Sequence, residues 1–223
     1  MTATDNRRVG HADRVADLIR ANILSGDFAP GQRLVESELS ETFDSSRGAV
    51  RSALIDLSHE GLVERIANRG ARVRTVSVEE AVALTEVRMV VEGLCAAKAA
   101  ENITDDQIGE LHGIGRRMRD AVRNGEIMVY SQLNTALHDR ICEISDQPAA
   151  AAVLSNLRAR NVRHQFRLAL RPGRPHVSLP EHLAIIDEVC ARSPNAAERA
   201  ARRHVASVIE ALRDTDSGGW PSP

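Results

Sequence analysis

Residues 44–74 read DSSRGAVRSALIDLSHEGLVERIANRGARVR, and the order of signals in this stretch decides the fold of the first third of the chain. Ser46 is a residue type that caps helix N-termini by accepting from the free N–H groups of the first turn. From Arg47 to Glu60, Val50, Leu54 and Leu57 fall on one side, the spacing of an amphipathic helix. Gly61 then supplies the left-handed backbone on which helices commonly end. Leu62–Ile66 and Ala71–Arg74 alternate apolar and polar residues around Asn68-Arg69-Gly70, the pattern of a β-hairpin.

Upstream of this stretch, Glu36 to Phe43 predicts a short second helix. His11 to Ser25, with Val15, Leu18, Ile19 and Ile23 in a stripe, predicts a first. The Gly26–Gly31 segment between them carries Pro-Gly turn punctuation. Three helices followed by a hairpin wing make a winged helix-turn-helix over residues 1–75. Beyond Ser77 no strand pattern remains. Helices are expected at 78–100, 104–124, 126–145, 148–170, 179–193 and 195–214, separated by Asn, Gly and Pro punctuation. Thr104 with Gln107 fits a capping box. The fold class is therefore mostly α: an N-terminal winged helix-turn-helix, then a C-terminal all-α antiparallel bundle over 79–215. The joint is expected at Thr75–Val78, and a disordered tail at 216–223.

Composition bounds the function. Of 223 residues, 43% are hydrophobic and 27% charged, a globular balance. No apolar run reaches the roughly 18 residues that cross a bilayer, and the N-terminus lacks the apolar core of a signal peptide. The expectation is a cytoplasmic protein with no membrane partner. Cys95, Cys142 and Cys190 are far apart in sequence and form no CxxC, which argues against a disulfide framework or a Cys-rich zinc site and for packing roles. Aromatic residues are 2% of the chain, too few for a base-stacking platform.

A helix-turn-helix reads base edges with the first turns of its second helix. Here that turn presents Ser46, Arg47, Gly48, Ala49 and Arg51, and a forked Arg suits guanine O6 and N7. At the wing tip Arg69 and Gly70 are placed to reach the minor groove. Residues 1–75 hold eleven Arg against eleven acids, so this part is neutral by count. Residues 45–75 hold six Arg against three acids, so the positive charge is local. A winged helix used only for protein contacts is the alternative.

In the helical part, three histidines share faces with apolar residues: His138 with Leu137 and Ile141, His182 with Ile185 and Ile186, His204 with Ala200, Ala201 and Val208. Buried imidazoles need partners. One divalent metal (Zn, Ni or Mn) could satisfy all three, or each could be a satisfied core residue. Asn134 sits one turn before His138. Arg88 borders the stripe Leu84, Val87, Val91 and Leu94, and a buried Arg needs an anion, either Glu92 four residues on or a ligand. Arg163 and Arg167 could reach the same space. Three histidines with an open position are also how hydrolytic zinc sites are built, so a metal-dependent hydrolase-like enzyme is an alternative. No HExxH, nucleophile elbow or acid–base carboxylate pair accompanies it.

The pieces ILSGDFAPGQRLVESELSETF, SRGAVRSAL, EGLVER and NRGARV, in that order, resemble the winged helix of the GntR family. LTEVRMVVEGLCAAKAA, NTALHDRI, EHLAIIDEV and AARRHVASVIEAL resemble the FCD ligand-binding domain of its FadR subfamily. The resemblance implies a homodimeric transcription regulator, most often a repressor, and not an enzyme. It implies operator DNA contacts by Arg47, Arg51 and the tip Arg69-Gly70. It also implies a metal held by Asn134, His138, His182 and His204, and a small carboxylate effector clamped by Arg88. Two departures stand out. Gly48-Ala49 replaces the commoner Thr-Pro, and Asn134 replaces the commoner Asp, removing one negative charge from the metal shell. A cavity without metal is the remaining alternative.

Overall fold

The computed structural model describes residues 3–66, 70–169 and 171–217, with side chains of 1–12, 162, 163, 165–167, 169 and 215–217 left aside. The chain divides into two compact units, Met1–Val76 and Ser77–Pro223.

The first unit contains α1 (Ala3–Ser25), β1 (Arg33–Leu34), α2 (Glu36–Thr42), α3 (Arg47–His59), β2 (Val63–Ile66) and β3 (Gly70–Val73). α3 begins where the capping signal placed it: Ser46 is extended, and its Oγ accepts from Ala49 N at 3.2 Å. It ends on Gly61 at φ +75°, with Leu62 N donating to Leu57 O across the turn. Ile19, Val50, Ala53 and Leu57 are fully buried where α1 crosses α3, and Leu34, Leu62, Ala71 and Val73 close the core from the sheet side. Each large aliphatic residue so buried stabilises the unit by roughly 1.5–3 kcal/mol.

The sheet has three antiparallel strands in the order β1-β3-β2, with Val63 opposite Val73 and Leu34 opposite Ala71. The pairing of β1 on β3 extends the expected hairpin. It also explains Gly70. Its φ is +85°, and a Cβ there would lie 2.4 Å from Leu34 O. The close approach that glycine permits is to β1, where a contact with a DNA groove was expected.

The second unit is helical throughout its described residues: α4 (Val78–Asn102), α5 (Asp105–Arg123), α6 (Ile127–Ile144), α7 (Pro148–Ala169), α8 (Arg174–Cys190) and α9 (Pro194–Ser217). The Thr104–Gln107 capping box forms in both directions. α4 packs along α9 through small residues, with Ala96, Ala99 and Ala100 facing Ala197, Ala200 and Ala201, all buried. The approach is close enough that a Cβ on Gly93 would sit 3.1 Å from the Arg202 side chain. Leu111, Met118, Leu137, Ile185 and Ile186 fill the space between α5, α6 and α8.

Boundaries differ from the sequence reading most clearly at α1, α8 and α9. α1 begins at Ala3, eight residues before the expected start. α8 begins at Arg174 and not 179: Gly173 at φ +80° opens it, Pro175 occupies its first turn, and Pro180 lies inside. Proline is favoured in a first turn because that N–H has no helical partner, so Pro175 opens the helix rather than standing before it. α9 runs through Ser217, so residues 216 and 217 are helical, while 218–223 lie outside the described residues.

Candidate functional site

The three histidines converge. His138 on α6, His182 on α8 and His204 on α9 are all buried, and one ring nitrogen of each lies within 4.8 Å of the others. Ring centroids are 5.4 Å apart for His138–His182, 5.3 Å for His138–His204 and 4.2 Å for His182–His204.

Each imidazole has a polar neighbour beside Nδ1, and in His182 and His204 it is a hydrogen-bond partner. His204 Nδ1 is 2.9 Å from Glu181 Oε2, a carboxylate that can only accept. His138 Nδ1 is 3.1 Å from Glu92 Oε2, close in distance but off the line of a good hydrogen bond, since that oxygen has no well-aligned donor. His182 Nδ1 is 2.9 Å from the Tyr130 hydroxyl, which is 2.7 Å from Ser178 Oγ. Ser178 in turn donates to the Arg174 carbonyl at 3.1 Å. A carbonyl only accepts, so every proton in this chain points one way: His182 Nδ1–H to Tyr130, Tyr130 O–H to Ser178, Ser178 O–H to Arg174 O. The His182 tautomer with a free Nε2 lone pair follows.

His182 Nε2, His138 Nε2 and Asn134 Oδ1 are buried without a hydrogen-bond partner. Buried polar atoms are nearly always satisfied, so three lone pairs with nothing to accept from are a donor set. Asn134 lies one turn before His138 on the same helix. Histidines that ligate metals typically present one nitrogen inward and donate the other to a carboxylate, carbonyl or water. The arrangement fits a divalent ion with imidazole and amide-oxygen ligands.

Burial drives the acid–base behaviour. It pushes His204 down to about 4, only partly opposed by the hydrogen bond to Glu181. It pushes His182 well below the ordinary imidazole value, with His204 and His138 adding repulsion. Both are neutral at pH 7, the form that binds metal. Burial likewise raises Tyr130 to about 12. Glu92 goes the other way: burial would raise it, but Arg88, His138 and Arg158 together hold it well below the usual carboxylate range.

Arg88 is buried and donates from Nε to Glu92 Oε1 at 2.7 Å. Of the two anions its position allowed, the structure supplies Glu92. Arg158 Nη2 lies 3.4 Å from the same oxygen. The side chains of Arg163 and Arg167 lie outside the described residues. Glu181 and Ser178 were absent from the sequence reading, which placed Tyr130 only on the inner side of its helix and Glu92 only as a partner for Arg88. A buried tyrosine hydroxyl needs a partner, and that was the available signal for Tyr130. Cys95 and Cys142, read as separate packing residues, lie side by side with Sγ atoms 4.0 Å apart.

In the first unit the expected DNA-reading residues sit at the start of α3. Arg47 and Gly48 are exposed, Ala49 is half-buried, and Ser46 is engaged in the cap. Arg51 is not free: it grips Glu36 of α2 with Nε at 3.1 Å and Nη2 at 2.7 Å. That hydrogen bond is the main reason Glu36 titrates below its ordinary value. Gly70 is at the start of β3, while Arg69 lies outside the described residues.

Residues 11–73 match the bacterial regulatory proteins of the gntR family. Residues 83–207, more than half of the chain, match the FCD domain. The chain belongs to the GntR family and carries an FCD domain. This GntR-family chain is 29% identical over 196 residues to the HTH-type transcriptional repressor RspR of Escherichia coli K12, covering 88% of this chain and 86% of that one. It is 26% identical over 222 residues to the "Probable D-xylose utilization operon transcriptional repressor" of Paenarthrobacter nicotinovorans, covering 98% and 96%. The solved structure of E. coli McbR/YncC superposes with a TM-score of 0.76 at 19% identity, over 92% of this chain and 98% of that one, and shares the fold. The GntR protein is thus a transcription regulator and not an enzyme, which removes the hydrolase alternative. Among the described residues no helix is long and apolar enough to cross a membrane.

Proposed function

We propose that the protein is a homodimeric, ligand-responsive repressor in the cytoplasm, binding operator DNA with residues 1–75 and sensing a small carboxylate with residues 79–215. The observation that carries the sensing half is the convergence of three buried histidines, with the Nε2 atoms of His138 and His182 and the Oδ1 of Asn134 left without partners. His138, His182 and His204 would hold a divalent metal (Zn, Ni or Mn), with Asn134 as the fourth donor. An ion held there would supply Lewis acidity toward one carboxylate oxygen. Arg88 spends Nε on Glu92, and its two Nη groups are the forked edge left for the carboxylate. Loss of the Asp charge at position 134 weakens the metal shell and makes the effector's own charge part of it.

In the reading half, Ser46, Arg47, Gly48, Ala49 and Arg51 face the major groove, with Arg69 and Gly70 at the wing tip. Arg51 must exchange Glu36 for a base or phosphate. Effector affinity then differs between the DNA-bound and free states by the 1–3 kcal/mol typical of such coupling.

The test is a gel shift with DNA from upstream of the protein's own gene, together with elemental analysis. Arg47→Ala combined with Arg51→Ala abolishes the shift, and His182→Ala keeps it in the absence of effector. Purified protein holds close to one metal per chain, lost in His182→Ala. Specific DNA binding by the double Arg variant overturns the reading helix. A chain that stays metal-free after reloading overturns the metal.

A further inference from the structure

The cysteines on α4 and α6 form a pair whose geometry invites one reaction. Cys95 Sγ and Cys142 Sγ are 4.0 Å apart across the two helices, and neither is in a disulfide. They line a cavity of about 10 Å³ together with Glu92 and His138, room for one group the size of water. Cys95 is 2% exposed, while Cys142 is half-buried. Nothing in the regulator's operator binding or carboxylate sensing uses them.

We propose that Cys95 and Cys142 are an oxidisable dithiol that hydrogen peroxide converts to an intramolecular disulfide. Peroxide is little larger than a water molecule, the size of group the cavity admits. Cys142, the more accessible, attacks as thiolate: its sulfur takes one oxygen of peroxide, the O–O bond breaks and hydroxide leaves, giving Cys142–SOH. Cys95 then attacks that sulfur, the S–OH bond breaks, and its thiol proton leaves with the hydroxyl as water. In sum, two thiols and one peroxide give one disulfide and two waters. Burial raises Cys95 to about 12, with Cys142 adding to the rise, so Cys95 is a poor first nucleophile and serves as the resolving thiol. The third cysteine, Cys190, is on α8 and outside this pair.

Closing the bond shortens Sγ–Sγ from 4.0 Å to about 2.05 Å. That displacement falls on one turn of each helix. Glu92 is three residues before Cys95 and His138 is four before Cys142, so the disulfide pulls on the carboxylate and the imidazole that face each other. Weaker zinc binding by the oxidised chain follows, a consequence that rests on the metal reading above.

The experiment treats the full-length, metal-free protein with hydrogen peroxide, counts thiols after denaturation and maps peptides without reduction. The expected result is a fall from three thiols to one, a Cys95–Cys142 linked peptide, and full reversal by dithiothreitol. In Cys142→Ala, Cys95 and Cys190 both stay thiols under the same dose. Zinc titration of the oxidised wild type shows at least a tenfold weaker site than the reduced form. Any of three results overturns the dithiol: Cys142 driven to sulfinic acid with Cys95 still a thiol, cross-linked chains in place of the internal bond, or no reaction at doses that oxidise free cysteine. A linked peptide with unchanged zinc affinity overturns the coupling alone. A reduced chain that binds no zinc overturns the metal reading and leaves the disulfide standing.

Discussion

A buried imidazole at position 204 resists protonation in the folded second unit. Its pKa is about 4 in the fold and about 6.5 in an unfolded chain. Below pH 6.5 the unfolded chain takes up a proton that the folded one refuses, so stability is lost as pH falls from about 6.5 toward 4. His182 is depressed for the same reason. Glu92 and Glu181 are lowered, so their stabilisation is lost only as pH falls below the ordinary carboxylate value, later in an acid titration. Urea unfolding of metal-free protein at pH 7.5, 6.5 and 5.5 therefore shows little change over the first step. Over the second it shows a loss of roughly 1 kcal/mol per pH unit for each depressed histidine. His204→Gln removes its share of that slope. Equal stability at pH 6.5 and 5.5 would show that the histidines are accessible to protons. The imidazoles' place on apolar faces was legible from helical spacing. Their tautomers were not, because His182 is fixed by Tyr130 on α6 and Ser178 on its own helix, a chain no spacing rule contains.

At the scale of elements, local chemistry wrote most boundaries. Ser46, Gly61 and the Thr104–Gln107 pair each act within one turn, and each was readable before any packing was known. β1 was not, because two residues, Arg33 and Leu34, carry no periodicity. Only the empty space at Gly70, reserved for Leu34 O, makes it necessary. The Arg51–Glu36 pair joins α2 to α3 across fifteen residues, and no helical or strand repeat predicts such a contact. Its value to the fold is small: the Arg51 side chain is 61% exposed, and solvent and salt screen so exposed a pair. Its consequence for the proposed DNA contact is larger, since it occupies Arg51 and holds a carboxylate beside it. Glu36→Gln is expected to change the unfolding free energy by no more than about 0.5 kcal/mol. It should also tighten binding to operator and non-operator DNA alike by several-fold at 50 mM salt. Weaker operator binding would mean that Glu36 positions Arg51 for its base.

Over the whole molecule, the net charge of −2 said little about DNA, because the acids of residues 1–44 offset the Arg excess of residues 45–75 in the count. Family resemblance supplied what charge could not. The same holds for the helical unit: composition gives no hint of a ligand, whereas the convergence of three histidines leaves buried polar atoms of His138, His182 and Asn134 without partners. If an occupant there includes a carboxylate that regulates, the two functions share one free energy. A carboxylate that raises the melting temperature of wild type but not of Arg88→Ala must change the affinity for operator DNA, by 5- to 150-fold for coupling of ordinary size. Saturating DNA must then change the carboxylate affinity by the same factor. Both ratios come from titrations of the metal-loaded protein, one by fluorescence anisotropy of labelled DNA and one by calorimetry. Equal ratios different from one establish an effector. A carboxylate that stabilises the chain through Arg88 yet leaves both ratios at one is bound by a silent cavity, and the sensing role fails while the DNA-reading role stands.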